Sequence, residues 1–168
     1  MRAVDLARLY DYSCWANQKL LGVVSQLTPD EFTRHVAGSY GSVRNTLVHI
    51  LSAEWGWLDR CGGPPRGDRL KPEDFPTLES ILAVWKRVEI EMRTFLDNLH
   101  EERLTEDVTF AFGAGPTQSV ARGDLLQHAV IHAVHHRGQI SLLLRELGRT
   151  PVNVDFLDYA TERRTAPD

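Results

Sequence analysis

Four of the seven histidines in this chain fall within residues 128–136, inside the run HAVIHAVHHRGQ at 128–139. In a helix, side chains at i and i+4 stack on one face, so His132 and His136 point at the same spot. They also lie on an apolar stripe that advances by three or four residues: Ala129, His132, His136, Ile140, Leu143 and Leu147. Two imidazoles one turn apart and turned toward a core offer a metal two nitrogens. Tight binding of a divalent ion needs a third donor and usually a fourth. His49 is the candidate, because it interrupts the apolar run LVHIL at 47–51 in the middle of a second helical pattern. If those two helices are neighbours, His49 meets His132 and His136 across the core, which is how bundles build metal sites.

Three imidazoles leave one or more positions open for water, the arrangement of catalytic rather than structural sites. Imidazole donors suit zinc, nickel, copper or iron, and zinc or nickel is the expected ion. His128 lies one further turn away; successive i+4 steps drift by roughly 40° each, so it should flank the site rather than join it. His135 points about 100° away from His136. Each ligating imidazole needs its other nitrogen hydrogen-bonded, and Asn45 and Gln139 are candidates for that role. Glu54 is the one nearby carboxylate to consider as a proton acceptor; no Ser-His-Asp set, glycine-rich phosphate loop or carboxylate pair is visible, so catalytic residues stay unassigned. The competing reading is hydrogen-bonded packing without metal, and His35 and His100 are expected simply at the surface.

The elements that must position these side chains are four long helical patterns. The first runs from about Val4 to Leu27, with Ala7, Tyr10, Cys14, Asn17, Leu21 and Val24 on one stripe, and Thr28-Pro29-Asp30-Glu31 ends it in a short turn. The second runs from Ser42, its N-cap, to about Cys61, and a Gly- and Pro-rich loop follows from Gly62 to Pro76. The third runs from Thr77 to about Leu99, with Leu78, Ile81, Leu82, Trp85, Val88, Met92, Phe95 and Leu99 in line. Val108 to Phe112 alternates like a strand, with Gly113, Gly115 and Pro116 behind it. The fourth helix begins near Ser119 and stops at Gly148, and Asp155 to Tyr159 reads as a last short helix. The expectation is an all-α four-helix bundle with a small β-hairpin or extended segment before the fourth helix.

The 168 residues, 42% hydrophobic and 25% charged, suit one globular domain, set here at residues 1–164 with a mobile tail at 165–168. A net charge of −4 and scattered basic residues argue against nucleic acid. No segment approaches a membrane span or a signal peptide. Two distant cysteines, Cys14 and Cys61, give no disulfide framework and fit a reduced, cytoplasmic setting. Cys14 reads as a small core residue, whereas Cys61 at a helix end is the one place for a reactive thiol.

Taken in order, three segments resemble the DinB family: Tyr12, Trp15, Ala16 and Asn17; then Ser39 to His49 with Glu54, Trp57 and Leu58; then His128, His132 and His136 through Ile140, with Leu147, Gly148 and Pro151. The resemblance spans nearly the whole chain, and the histidine segment is its most specific part. It implies a four-helix bundle, commonly a homodimer, with a divalent metal held by His49, His132 and His136. It also implies thiol-dependent transferases that use low-molecular-weight thiols, and some hydrolase-like members. His135 departs from the family, which usually carries an aromatic there, typically Tyr. The resulting expectation is a metal-dependent enzyme that activates a water or a low-molecular-weight thiol for a small-molecule substrate. The alternative is a non-catalytic metal-binding or stress-response protein.

Overall fold

A computed structural model describes residues 1–64, 67, 69–111 and 114–165. The apolar stripes become four long helices, α1 (Ala3–Val24), α3 (Val43–Arg60), α4 (Leu78–Asp97) and α5 (Arg122–Glu146), joined by the short α2 (Pro29–Thr33) and followed by α6 (Phe156–Thr165). The starts of α3 and α4 are set by side-chain caps: Ser42 Oγ accepts from Asn45 N–H at 3.1 Å and Thr77 Oγ1 from Ser80 N–H at 3.3 Å. Thr28 and Glu31 form a reciprocal capping box around Pro29, so the expected turn after α1 is a helix of five residues. Around the bundle, α5 packs between α1 and α3, and α4 closes the ring against α3 and α1. No helix among the described residues is long and apolar enough to cross a membrane.

The fourth long helix starts at Arg122, not near Ser119. Residues Gln118–Ala121 form β2, antiparallel to β1 (Asp107–Phe110), with Val108 opposite Val120. Ladder bonds take the backbone groups that would otherwise open the helix, and Val108 is buried with Leu104 and Leu125 beneath the hairpin. The expected strand reached Phe112; Phe112 and Gly113 lie outside the described residues, as does Pro65 of the loop. Arg122 anchors the junction: its guanidinium donates to Glu106 Oε2 at 2.7 Å and to the carbonyl of Cys61. Thr165 ends α6, and residues 166–168 of the expected tail lie outside the described residues.

The buried face of α1 is wider than one stripe. Leu6, Tyr10, Ser13, Asn17, Leu20 and Val24 face the bundle, while Tyr12 and Ala16 pack with Tyr159 of α6. The expected Ala7, Cys14 and Leu21 are only half-buried, because α1 has to cover α4, α5 and α6 at once. On α4, Leu82 is exposed, and Leu96 is buried in its place. Cys61 is 0% exposed and burial pushes its thiol up to about 12, which leaves it a core residue rather than a reactive one.

A polar layer crosses the middle of the bundle between two apolar halves. Glu54 on α3 accepts from Tyr10 O–H and from Trp85 Nε1–H, the latter at 3.1 Å. Arg137 on α5 donates from Nη1 to Ser13 Oγ at 3.0 Å and Asn17 Oδ1 at 2.9 Å, with its guanidinium 5.4 Å from the Tyr12 ring. Arg137 is 1% exposed, and Glu54 is the one buried acid among the described residues. Burial raises the Glu54 carboxyl, while Tyr10, Trp85 and the Arg137 charge oppose that rise. Glu54 is therefore a core carboxylate, taken up by its own partners and unavailable as a proton acceptor for the histidines. Glu54→Gln should leave the Arg137 charge less compensated and cost roughly 2–4 kcal/mol in urea unfolding, near the cost of breaking a buried pair. Combining it with Arg137→Met should cost less than the sum of the two single changes; strict additivity would show that the two groups are not coupled.

Candidate metal centre

The contact between α3 and α5 is the most extensive in the bundle, and the histidines sit on it. His49 reaches across from α3 to His132 and His136, one turn apart on α5. Their Nε2 atoms form a nearly equilateral triangle: 3.0 Å from His49 to His132, 3.1 Å from His49 to His136 and 3.0 Å from His132 to His136. His136 is buried, and the other two are half-buried.

The donor set can be tested against the geometry of an ion. With bonds of ~2.0–2.1 Å, tetrahedral ligand nitrogens stand about 3.3–3.4 Å apart, and the observed triangle is within a few tenths of an ångström of that. A neutral imidazole carries one N–H and one lone pair. Three nitrogens facing one another at equal distances cannot all be matched by one-to-one N–H···N bonds, whereas a shared cation satisfies three lone pairs together. The residues present fit a divalent metal.

The second nitrogens decide which way the lone pairs point. His136 Nδ1–H donates to Gln139 Oε1 at 2.6 Å, which leaves its Nε2 lone pair aimed at the cluster. Gln139 is itself fixed, since Oε1 also accepts from Ser39 Oγ at 2.7 Å and the amide nitrogen lies 3.0 Å from His135 Nε2. Of the two candidates for this role, Gln139 fills it and Asn45 does not. The Asn45 amide instead donates to the Tyr40 carbonyl at 3.0 Å, holding the loop in front of α3.

That loop brings in a residue to which the sequence reading gave no role. The Tyr40 ring stacks on His49 with centroids 3.9 Å apart, and its hydroxyl lies 2.9 Å from His49 Nε2. The loop turns back through left-handed conformations at Gly38, Ser39 and Gly41. The GSYG run just before the Ser42 cap is the one local signal that a tight turn presents Tyr40 there. His128 is exposed, edge-on to Trp57 at 5.2 Å, and flanks the triad as its helical drift requires. His135 is exposed, edge-on to the His136 ring at 4.9 Å and close to the Gln139 amide; His35 and His100 are exposed too.

Burial first, and then the neighbouring charges of His136 and Arg69, lower His49 to about 4. Burial and the surrounding histidines lower His132 to about 3. For His136, burial lowers the value while the Gln139 hydrogen bond opposes it. All three are neutral at pH 7, the form a metal requires. They open into a cavity of about 550 Å³ whose walls include Tyr40, Trp57, Arg60, Arg69, Leu70 and His128. A larger cleft of about 810 Å³ between α1 and α4 has no histidine among its described lining residues, so the candidate metal ligands line the smaller one.

The DinB family model matches residues 1–166 of this chain. Protein DinB of Bacillus subtilis (strain 168) is 22% identical over 165 residues, covering 94% of this chain and 95% of that protein. An uncharacterized protein of the same organism, YizA, is 24% identical over 152 residues, covering 90% and 94%. The crystal structure of a DinB-like protein from Bacillus cereus ATCC 10987 has the same fold, with a TM-score of 0.73 at 22% identity over 89% of this chain and 95% of that one.

Two outcomes follow from the triangle. His132→Ala should fall from about one bound metal equivalent to nearly none by elemental analysis, since two imidazoles hold a divalent ion poorly; a full equivalent retained would refute the ligand set. The folded imidazoles titrate below their ordinary value of 6.5. Above that pH they contribute nothing to stability; below it the unfolded chain takes up protons that the folded cluster refuses, so stability falls with pH. Metal-free protein should therefore lose stability from pH 7 to pH 5, and the double variant His49→Gln, His132→Gln should show a flatter curve in urea titrations. An unchanged slope would contradict the depressed values.

Proposed function

This chain belongs to the DinB family, and on that footing we propose that His49, His132 and His136 hold one divalent ion, zinc or nickel, in a metal-dependent enzyme. The observation that carries this reading is the convergence of three Nε2 atoms at 3.0–3.1 Å on the wall of a 550 Å³ cavity. Bound there, the ion supplies Lewis acidity and lowers the pKa of a water or a low-molecular-weight thiol in its open position. That corresponds to a thiol transferase or a hydrolase acting on a small molecule.

The chain's own residues have defined parts in this proposal. Gln139 keeps His136 in the tautomer that presents Nε2, and Ser39 keeps Gln139 in place. The Tyr40 hydroxyl, 2.9 Å from His49 Nε2, is a proton donor beside the reacting region. Trp57 and Leu70 give the cavity apolar surface that limits water. A cavity of this volume fits a small molecule rather than a polymer. A homodimer and a cytoplasmic location belong to the same proposal. Ile131, Val134 and Leu142 remain exposed along the outer face of α5, where a second copy would cover them, and both cysteines are free thiols.

A second reading, metal binding without turnover, is favoured by one observation: Glu54 is taken up in the core and supplies no base to the site. The two separate in a thiol-consumption assay with bacillithiol, mycothiol or glutathione and an electrophile, alongside an activated ester. Consumption or hydrolysis that requires added zinc or nickel and disappears in His132→Ala supports the enzyme. Stoichiometric metal with no turnover of any of these substrates points to the binding protein.

A further inference from the structure

The cavity in front of the histidines has charged side chains in its wall. In a chain of net charge −4, the described residues of its lining carry two arginines, Arg60 and Arg69, against one acid, Asp59. The two arginines are held differently. Arg60 donates from Nη1 to the Gly56 carbonyl at 2.8 Å and lies over the Trp57 ring at 5.0 Å, so it is part of the wall. Arg69 has neither a hydrogen-bond nor an ion-pair partner among the described residues, although it lines the same cavity as His49.

Arg69 is nevertheless positioned. The next residue, Leu70, donates its backbone N–H to Ser52 Oγ at 3.2 Å, and Ser52 lies three residues beyond His49 on α3. Past it, the 3-10 turn Pro72–Asp74 packs on α3, and Phe75 is buried in the core. A strap pinned at both points holds a guanidinium at the mouth, with Trp57 and Leu70 providing apolar surface in the same cavity. A planar fork of donors with no partner among the described residues matches a carboxylate better than any neutral group.

We propose that this cavity takes a small carboxylic acid with an apolar or aromatic body, and that Arg69 is the residue that selects the carboxylate. The proposal rests on the metal reading of the same site and deepens it, by naming the substrate class. The carboxylate pairs with Arg69 at the mouth, and the body lies along Trp57 and Leu70, toward the histidines. A substrate whose only anionic group binds the metal directly would not depend on Arg69, and that difference makes the idea testable.

The probes are phenylacetate, neutral phenylacetamide and cationic phenethylamine, titrated by calorimetry into zinc-loaded protein and into chelator-treated protein. A charge-assisted pair predicts that phenylacetate binds about tenfold or more tightly than phenylacetamide, with phenethylamine weakest. Arg69→Gln should bring phenylacetate and phenylacetamide to within roughly threefold of each other, and Arg69→Lys should restore part of the preference. Arg69 is exposed, so these variants should keep the wild-type circular dichroism and metal content. If the preference survives in Arg69→Gln, or if the wild type does not discriminate, the proposal is overturned. Failure of the metal reading shows separately, as absence of bound zinc in elemental analysis, while a preference that depends on Arg69 would persist in the chelator-treated protein.

Discussion

Three imidazole nitrogens held 3.0–3.1 Å apart form an arrangement that a protein core does not favour for packing alone. Their lone pairs cannot all be matched by one another's protons, and partial burial limits the water that would otherwise satisfy them. The rest of the fold holds that triangle together. The α3–α5 contact supplies the approach, the Tyr40 loop covers one side, and Gln139 fixes the ring of the most buried member. The depressed pKa values of His49 and His132 express the same constraint electrostatically, since the folded site refuses protons.

The polar layer through the bundle centre serves this arrangement from behind. Glu54 follows His49 on α3, and Arg137 is the residue after His136 on α5, so each histidine-bearing helix is tied to α1 by a buried polar group. Such groups satisfy their hydrogen bonds in one rotation of the helix and lose them in others. Apolar packing alone tolerates small rotations more readily. The front of the site and the core behind it therefore divide the work: apolar contact brings the helices together, and polar contact fixes their facing.

Much of this was legible in the residues. Apolar periodicity gave the four long helices within a few residues, and Ser42 and Thr77 marked two of their starts. The i+4 spacing put His132 and His136 on one face, helical drift set His128 and His135 aside, and His49 stood out as a polar residue in an apolar run. The misreadings had local causes. Ser119 was placed in a helix because Gln118–Ala121 carries no strong break, yet its strand partner lies ten or more residues back in the chain. Nearness to His49 along α3 makes Glu54 a candidate proton acceptor, whereas the direction of its side chain, toward Tyr10 and Trp85, is set by packing that the sequence does not show.

The sequence by itself determined angles around helix axes, and with them which histidines share a face. Periodicity and capping are local properties, carried by residues within a turn or two of one another. Only the tertiary structure decided which helices are neighbours, that Tyr40 stacks on His49, that Gln139 rather than Asn45 holds an imidazole, and that Arg69 stands at the cavity mouth. Each of those depends on the path of a loop or on contact between residues far apart in the chain. Such contacts are chosen by the packing of the whole core, which no short window of residues contains.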